Sequence, residues 1–243
     1  MALYDTRVLA GSQTKFSFEF RMLERRFVGN HHAAGGESPI LRASGRSARI
    51  AAMKLTLARA KELLVTTTSD PHLIVHATNV RGCMEAFARH FGQPPEEVEH
   101  WGAVGFLHDY DYEHFPEEHL KHTEAELLAA DVDAADVRAI LSHGWGICND
   151  VKPETDLEKS LFCADELSGL VWAAALMRPT GISDLEPKSV VKKFKDKKFA
   201  AGCNRDIIRQ GAELVGLDLP AAIAVCIDGM KPYAAETGLL PKS

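Results

Sequence analysis

The sequence predicts an all-α protein, and three observations carry that prediction. From Met53 onward apolar residues recur at three- and four-residue spacing; Asp70-Pro71, Pro94-Pro95 and Pro116-Glu117 mark helix starts; strand-like alternation is almost absent. A chain of 243 residues is long enough for one substantial core. The expected organisation is a single helical bundle over residues 53–230 with a metal site between its helices, an irregular extension over 1–52 before it, and a loose tail over 231–243 after it.

The bulk numbers narrow the class. A hydrophobic content of 46% with 26% charged residues is ordinary for a soluble globular protein. A net charge of -6 gives no reason to expect a specific nucleic-acid surface. Cys83, Cys148, Cys163, Cys203 and Cys226 are scattered and never form a CxxC pair, which argues against a disulfide framework and a zinc knuckle. Reduced thiols in a cytoplasm fit best. No apolar run nears the roughly 18 residues of a membrane span. Residues 1–52 are rich in Arg, Gly and Ser, with no sustained period; Asp5, Glu19, Glu24 and Glu37 suit a transit peptide poorly, and an internal start at Met53 is an alternative.

The elements follow in order. A first helix runs from Lys54 to about Val65, and Asp70 caps a second that has Pro71 in its first turn and ends near Phe91. His76 lies in that helix on the stripe of Leu73, Val80, Met84 and Phe87, where a buried ring needs a partner. A helix opening at Pro94-Pro95 carries Val98, Trp101, Val104 and Leu107 into His108-Asp109. An adjacent His and Asp supply one nitrogen and one oxygen ligand, a mixture that divalent metal ions accept. Asp111, Glu113 and His114 read as a solvated acidic loop, with Asp111 and Glu113 also able to support ligands from behind.

The next helix is expected from Pro116, with His119 and His122 on one face, where either reaches a second metal or both lie at the surface. The helix from Asp133 ends at His143, again at the end of an apolar face. The longest helix, Leu157 to Met177, capped from Glu154-Thr155-Asp156, carries Asp165 among Leu161, Phe162, Ser168 and Trp172. An unpaired buried carboxylate there is costly, so a metal, a cation or protonation must compensate it. Six lysines between Lys188 and Lys198 surround Val190, Val191 and Phe194, either as a solvated amphipathic helix or as a cationic rim for a phosphorylated substrate, with Lys192, Lys193, Arg178 and Arg205 as candidate contacts. Two helices, about Asn204–Val215 and Leu219–Ile227, complete the bundle.

The order His76, His108-Asp109, Asp165 in a helical chain resembles the HD superfamily of metal-dependent phosphohydrolases, over about Met53 to Val215. The stretches Gly105-Phe106-Leu107-His108-Asp109-Tyr110-Asp111-Tyr112-Glu113, Ala164-Asp165-Glu166-Leu167-Ser168-Gly169-Leu170 and Phe194-Lys195-Asp196-Lys197-Lys198-Phe199-Ala200-Ala201-Gly202 are similar to a branch of predicted HD hydrolases.

The resemblance implies an HD-domain bundle in which His76, His108, Asp109 and Asp165 hold a first divalent ion (Mn, Fe, Mg, Ni, Co or Zn). Asp109 would bridge to a second held by His119 and His143, with His122 the substitute for His119. Asp109 and His108 are the implied catalytic residues. The implied activity is hydrolysis of the phosphoester of a nucleotide or small phosphorylated metabolite by an activated water. Two alternatives stand beside it: a di-iron HD-type oxygenase, and a non-catalytic nucleotide- or metabolite-binding module.

Overall fold

The computed structural model describes residues 54–242, so the extension expected over 1–52 lies outside the described residues. Nine α-helices make up the described chain: α1 Leu57–Leu64, α2 Pro71–His90, α3 Pro95–Leu107, α4 Thr123–Ala129, α5 Ala134–Ser142, α6 Asp156–Leu176, α7 Pro187–Phe194, α8 Arg205–Leu214 and α9 Leu219–Met230. Two 3₁₀ turns, Pro116–Glu118 and Lys231–Tyr233, complete the list. There is no strand among the described residues, only an isolated bridge between Trp145 and Asn149. None of the described helices is long and apolar enough to cross a membrane.

Three helix starts are built as the sequence specifies. Asp70 accepts from the His72 N–H with Pro71 in the first turn of α2, and Asp133 accepts from Ala135 at the start of α5. Thr155 and Glu158 form a reciprocal capping box at the start of α6. Such caps are each worth about 1 kcal/mol, and they set where the long helices begin.

The two long helices, α2 and α6, pack on each other, with α3 and α9 also against α2, and α5, α8 and α9 against α6. Met84, Phe87, Leu107, Leu161, Phe162 and Leu167 are fully buried among them. Each such side chain contributes roughly 1.5–3 kcal/mol of transfer free energy. Two glycine contacts bring helices closer than side chains allow. A Cβ on Gly82 of α2 would stand 2.3 Å from the Gly229 carbonyl oxygen of α9. One on Gly105 would meet Met84 Cγ at 2.7 Å, so α3 lies tight on α2 just before its chain reaches His108.

Two expectations need correction. The helix expected from Pro116 is only a 3₁₀ turn: His119 leaves helical geometry, Leu120 takes a positive φ of 66°, and α4 begins at Thr123. Residues 231–242 are no loose tail. Tyr233 Oη donates to Glu85 at 2.7 Å, Trp172 Nε1 to the Thr237 carbonyl at 3.0 Å, and Ile182 N to the Leu239 carbonyl at 3.0 Å, while the Leu239 side chain is buried. These partners lie far away in sequence, so local periodicity carries no trace of them.

Candidate metal centre

His108 and His143 are the C-cap residues of α3 and α5. Each turns its Nδ1 back to the carbonyl three residues earlier, His108 to Gly105 at 2.8 Å and His143 to Ile140 at 2.6 Å. An Nδ1–H donated to a carbonyl leaves Nε2 as the acceptor nitrogen. His119 is held in the same sense by a different partner, with its Nδ1 2.9 Å from Asp111 Oδ1.

The Nε2 atoms converge with two carboxylates. His76 Nε2 lies 3.1 Å from His108 Nε2, 3.0 Å from Asp165 Oδ1 and 3.5 Å from Asp109 Oδ2. His108 Nε2 lies 3.3 Å from Asp109 Oδ2 and 3.5 Å from Asp165 Oδ1. On the other side of the same carboxylate, Asp109 Oδ1 is 3.4 Å from His119 Nε2 and 3.6 Å from His143 Nε2, and those two nitrogens are 3.1 Å apart. Three overlapping groups of these residues could each hold a metal ion.

The donor set fits a cation. Ligands about 2.1 Å from one ion stand ~3.0 Å apart when at right angles and ~3.4 Å apart when tetrahedral, the range seen here. His108, His119 and His143 have their Nδ1 engaged elsewhere, so their facing Nε2 lone pairs need a proton or a metal between them. Mixed imidazole and carboxylate donors suit first-row divalent ions.

Electrostatics sharpen this. Burial opposes charge on His108, but the Asp109 and Asp165 carboxylates outweigh it and raise its pKa well above the usual imidazole value. Burial, reinforced by the His108 charge, pushes His143 down to about 4. Burial works against ionised Asp109 and Asp165, yet the surrounding imidazoles hold both well below the carboxylate range. Glu166, next to Asp165, is pushed up to about 8 by burial and by the Asp165 charge. Side-chain exposure within the cluster rises from 0% at His108 to 22% at Asp165 and 27% at His76. Solvent therefore reaches it from the side of His76 and Asp165.

Asp111 is not part of a solvated loop. It is fully buried and collects the His119 Nδ1–H and the backbone N–H groups of Leu120, His122 and Thr123. Those donors, with His119 leading, overcome burial and hold its carboxyl at about 2. Asp111 thereby creates the positive-φ bend at Leu120 and aims His119 inward. His122, three residues on, instead stacks on Phe115 at 3.9 Å between ring centroids and faces Glu118. Glu113 accepts from Ser69 and Asp70 at the start of α2, and His114 is exposed.

The four substrate candidates are less uniform. Arg178 is paired with Asp184 at 2.7 Å. Arg205 is wrapped by its own loop, donating to the carbonyls of Asp196, Phe199, Ala200 and Cys203. Lys193 lies over the Phe199 ring at 4.6 Å, and Lys192 is exposed. His100 and Asp136, which no sequence motif singles out, meet at 2.7 Å between α3 and α5. Their separation of 36 positions leaves no local signal. No family model, curated protein or solved structure matches this chain.

Proposed function

We propose that this chain is a metal-dependent phosphohydrolase of the HD type, acting on the phosphoester of a nucleotide or small phosphorylated metabolite. The observation that supports it best is the placing of Asp109, whose Oδ2 faces His76 and His108 while its Oδ1 faces His119 and His143. His76, His108, Asp109 and Asp165 would hold one divalent ion, and Asp109, His119 and His143 a second. Such ions lower the pKa of water and draw charge from a phosphoryl oxygen, which permits ester hydrolysis without a Ser or Cys nucleophile.

The chain's own residues do the rest. His108 presents Nε2 from a fully buried ring, and Asp109 ties the two groups together, which makes these the residues assigned to catalysis. Asp111 orients His119. Substrate enters from the side of His76 and Asp165, where the cluster is most exposed. Lys192 and Lys193, in the last turn of α7, are the cations proposed to draw in an anionic substrate. Arg178 and Arg205, occupied by their own chain, would have to exchange partners to take part.

The test is release of phosphate from a panel of nucleotides and small phosphoesters by protein loaded with Mn, Mg, Co, Ni, Zn or Fe in turn, with Asp109→Asn as control. Turnover in the parent and none in the variant is expected. Two irons per chain with oxygen uptake and no phosphate release would establish the oxygenase instead. Tight ligand binding without turnover under every metal would establish the binding module.

A further inference from the structure

A second set of titratable groups lies apart from the centre, between the same two helices that deliver His108 and His143. His100, in α3, is buried and has a carboxylate on each side of its ring: Asp136 Oδ1 of α5 is 2.7 Å from Nε2, and Glu97 Oε2 of α3 is 3.2 Å from Nδ1. Asp136, also buried, uses its other oxygen to accept the Leu55 backbone N–H at 3.0 Å, and Glu97 pairs with Lys54. Among the described residues, His100–Asp136 is the polar side-chain contact that joins α3 to α5 away from the metal centre.

Its position in the two helices is what matters. His100 stands eight residues before His108, roughly 12 Å along the axis, and Asp136 seven residues before His143, roughly 10 Å. The ring centroids of His108 and His143 are 5.0 Å apart. The two helices therefore run side by side in the same direction, joined at one level by His100–Asp136 and meeting at the next through their C-cap histidines.

We infer that His100 is a positioning residue for the metal centre: its contact with Asp136 fixes α5 against α3 and so holds His143 opposite Asp109 Oδ1 and His119. The inference rests on the reading of the cluster as a metal centre and adds how its second half is kept in place. The group of His76, His108 and Asp109 draws on α2 and the C-terminal end of α3 and takes nothing from α5, whereas His143, at the end of α5, enters the groups with Asp109 and His119 and with His108 and Asp165. Loosening α5 should release the second ion and spare the first, a selectivity that general loss of stability would not produce.

The experiment compares wild type with His100→Leu/Asp136→Asn, which leaves no charge buried there and keeps an amide oxygen for the Leu55 N–H. Mn(II) is titrated into each by calorimetry and followed by electron paramagnetic resonance. In wild type two ions bind and their spins couple. In the double variant the first affinity should be unchanged, the second weaker by at least ~10-fold, and the coupled spectrum replaced by that of isolated Mn(II).

His100→Gln, which retains a donor toward Asp136, should recover the second ion. Unaltered second-ion affinity and coupling in the double variant, or failure of His100→Gln to recover it, would overturn the inference. Should the double variant not fold, His100→Leu alone, which removes the contact and leaves Asp136 accepting the Leu55 N–H, decides: a several-fold weaker second ion supports the inference, and wild-type affinity overturns it. Wild type binding a single ion would refute the clamp while leaving a mononuclear centre intact; wild type binding none would refute the metal centre itself.

Discussion

His108 and His143 occupy equivalent places in two different helices: each is the C-cap, and each donates its Nδ1–H to the carbonyl three residues back, Gly105 at 2.8 Å and Ile140 at 2.6 Å. The helix end does two things at once. Its last-turn carbonyls fix the tautomer by accepting the Nδ1–H, and the chain's exit aims Nε2 out of the helix toward the shared Asp109. The two rings nevertheless titrate in opposite directions. His108 faces two carboxylates, whereas His143 feels the charge of His108 in a dry setting.

Metal loading should therefore release protons from His108. Its pKa is raised, so the metal-free protein keeps a proton there at neutral pH, and a metal must displace it. Affinity at the His76–His108 group is expected to rise with pH until His108's raised pKa is passed. His143, held near 4, has no proton on Nε2 to give at neutral pH. Calorimetric titrations at one pH in buffers of different ionisation enthalpy give the proton count; a count of zero would contradict the pairing of His108 with Asp109 and Asp165.

Asp111 makes a prediction in acid. Its folded pKa of about 2 lies below the ordinary carboxylate value, so its stabilisation is complete above the unfolded pKa of ~3.9 and is lost as pH falls toward 2. In the metal-free protein, urea unfolding followed from pH 6 to pH 2 should lose stability over that window, and Asp111→Asn should flatten the loss. Asp111→Ala should weaken the ion held by His119 by about 10- to 100-fold, because His119 loses the group that orients it. Equal affinity would mean that Leu120 and Thr123 alone set the bend.

The C-terminal segment is predicted to act as part of the core. Leu239→Ala should cost about 2–5 kcal/mol in urea unfolding, since the side chain is buried and its backbone is bonded to Ile182. Wild-type stability after that change would mean the segment is dispensable.

Much of this was legible locally. The caps at Asp70, Asp133 and Thr155, the arrival of His108 and His143 at helix ends, and Asp165 on an apolar face all follow from three- and four-residue spacing and from cap chemistry. The departures have physical reasons. A leucine in a positive-φ conformation announces nothing in sequence, so the break that separates His119 from His122 is indistinguishable from continuous helix until the chain folds. Asp111 looks like any acidic loop residue until four donors fold around it. Arg205, with free fork geometry on paper, is enclosed by the carbonyls of its own loop, and the pairings His100–Asp136 and Trp172–Thr237 span distances that no periodic pattern encodes.

The most direct test of the central claim is the metal content of protein purified without a chelating tag and reloaded with one metal, for wild type, Asp109→Ala and His143→Ala. Asp109 offers an oxygen to both groups and His143 a nitrogen to the second, so the expected sequence is two ions, near none, and one. No metal in wild type under any loading condition, or full occupancy in Asp109→Ala, would contradict a shared-carboxylate metal centre.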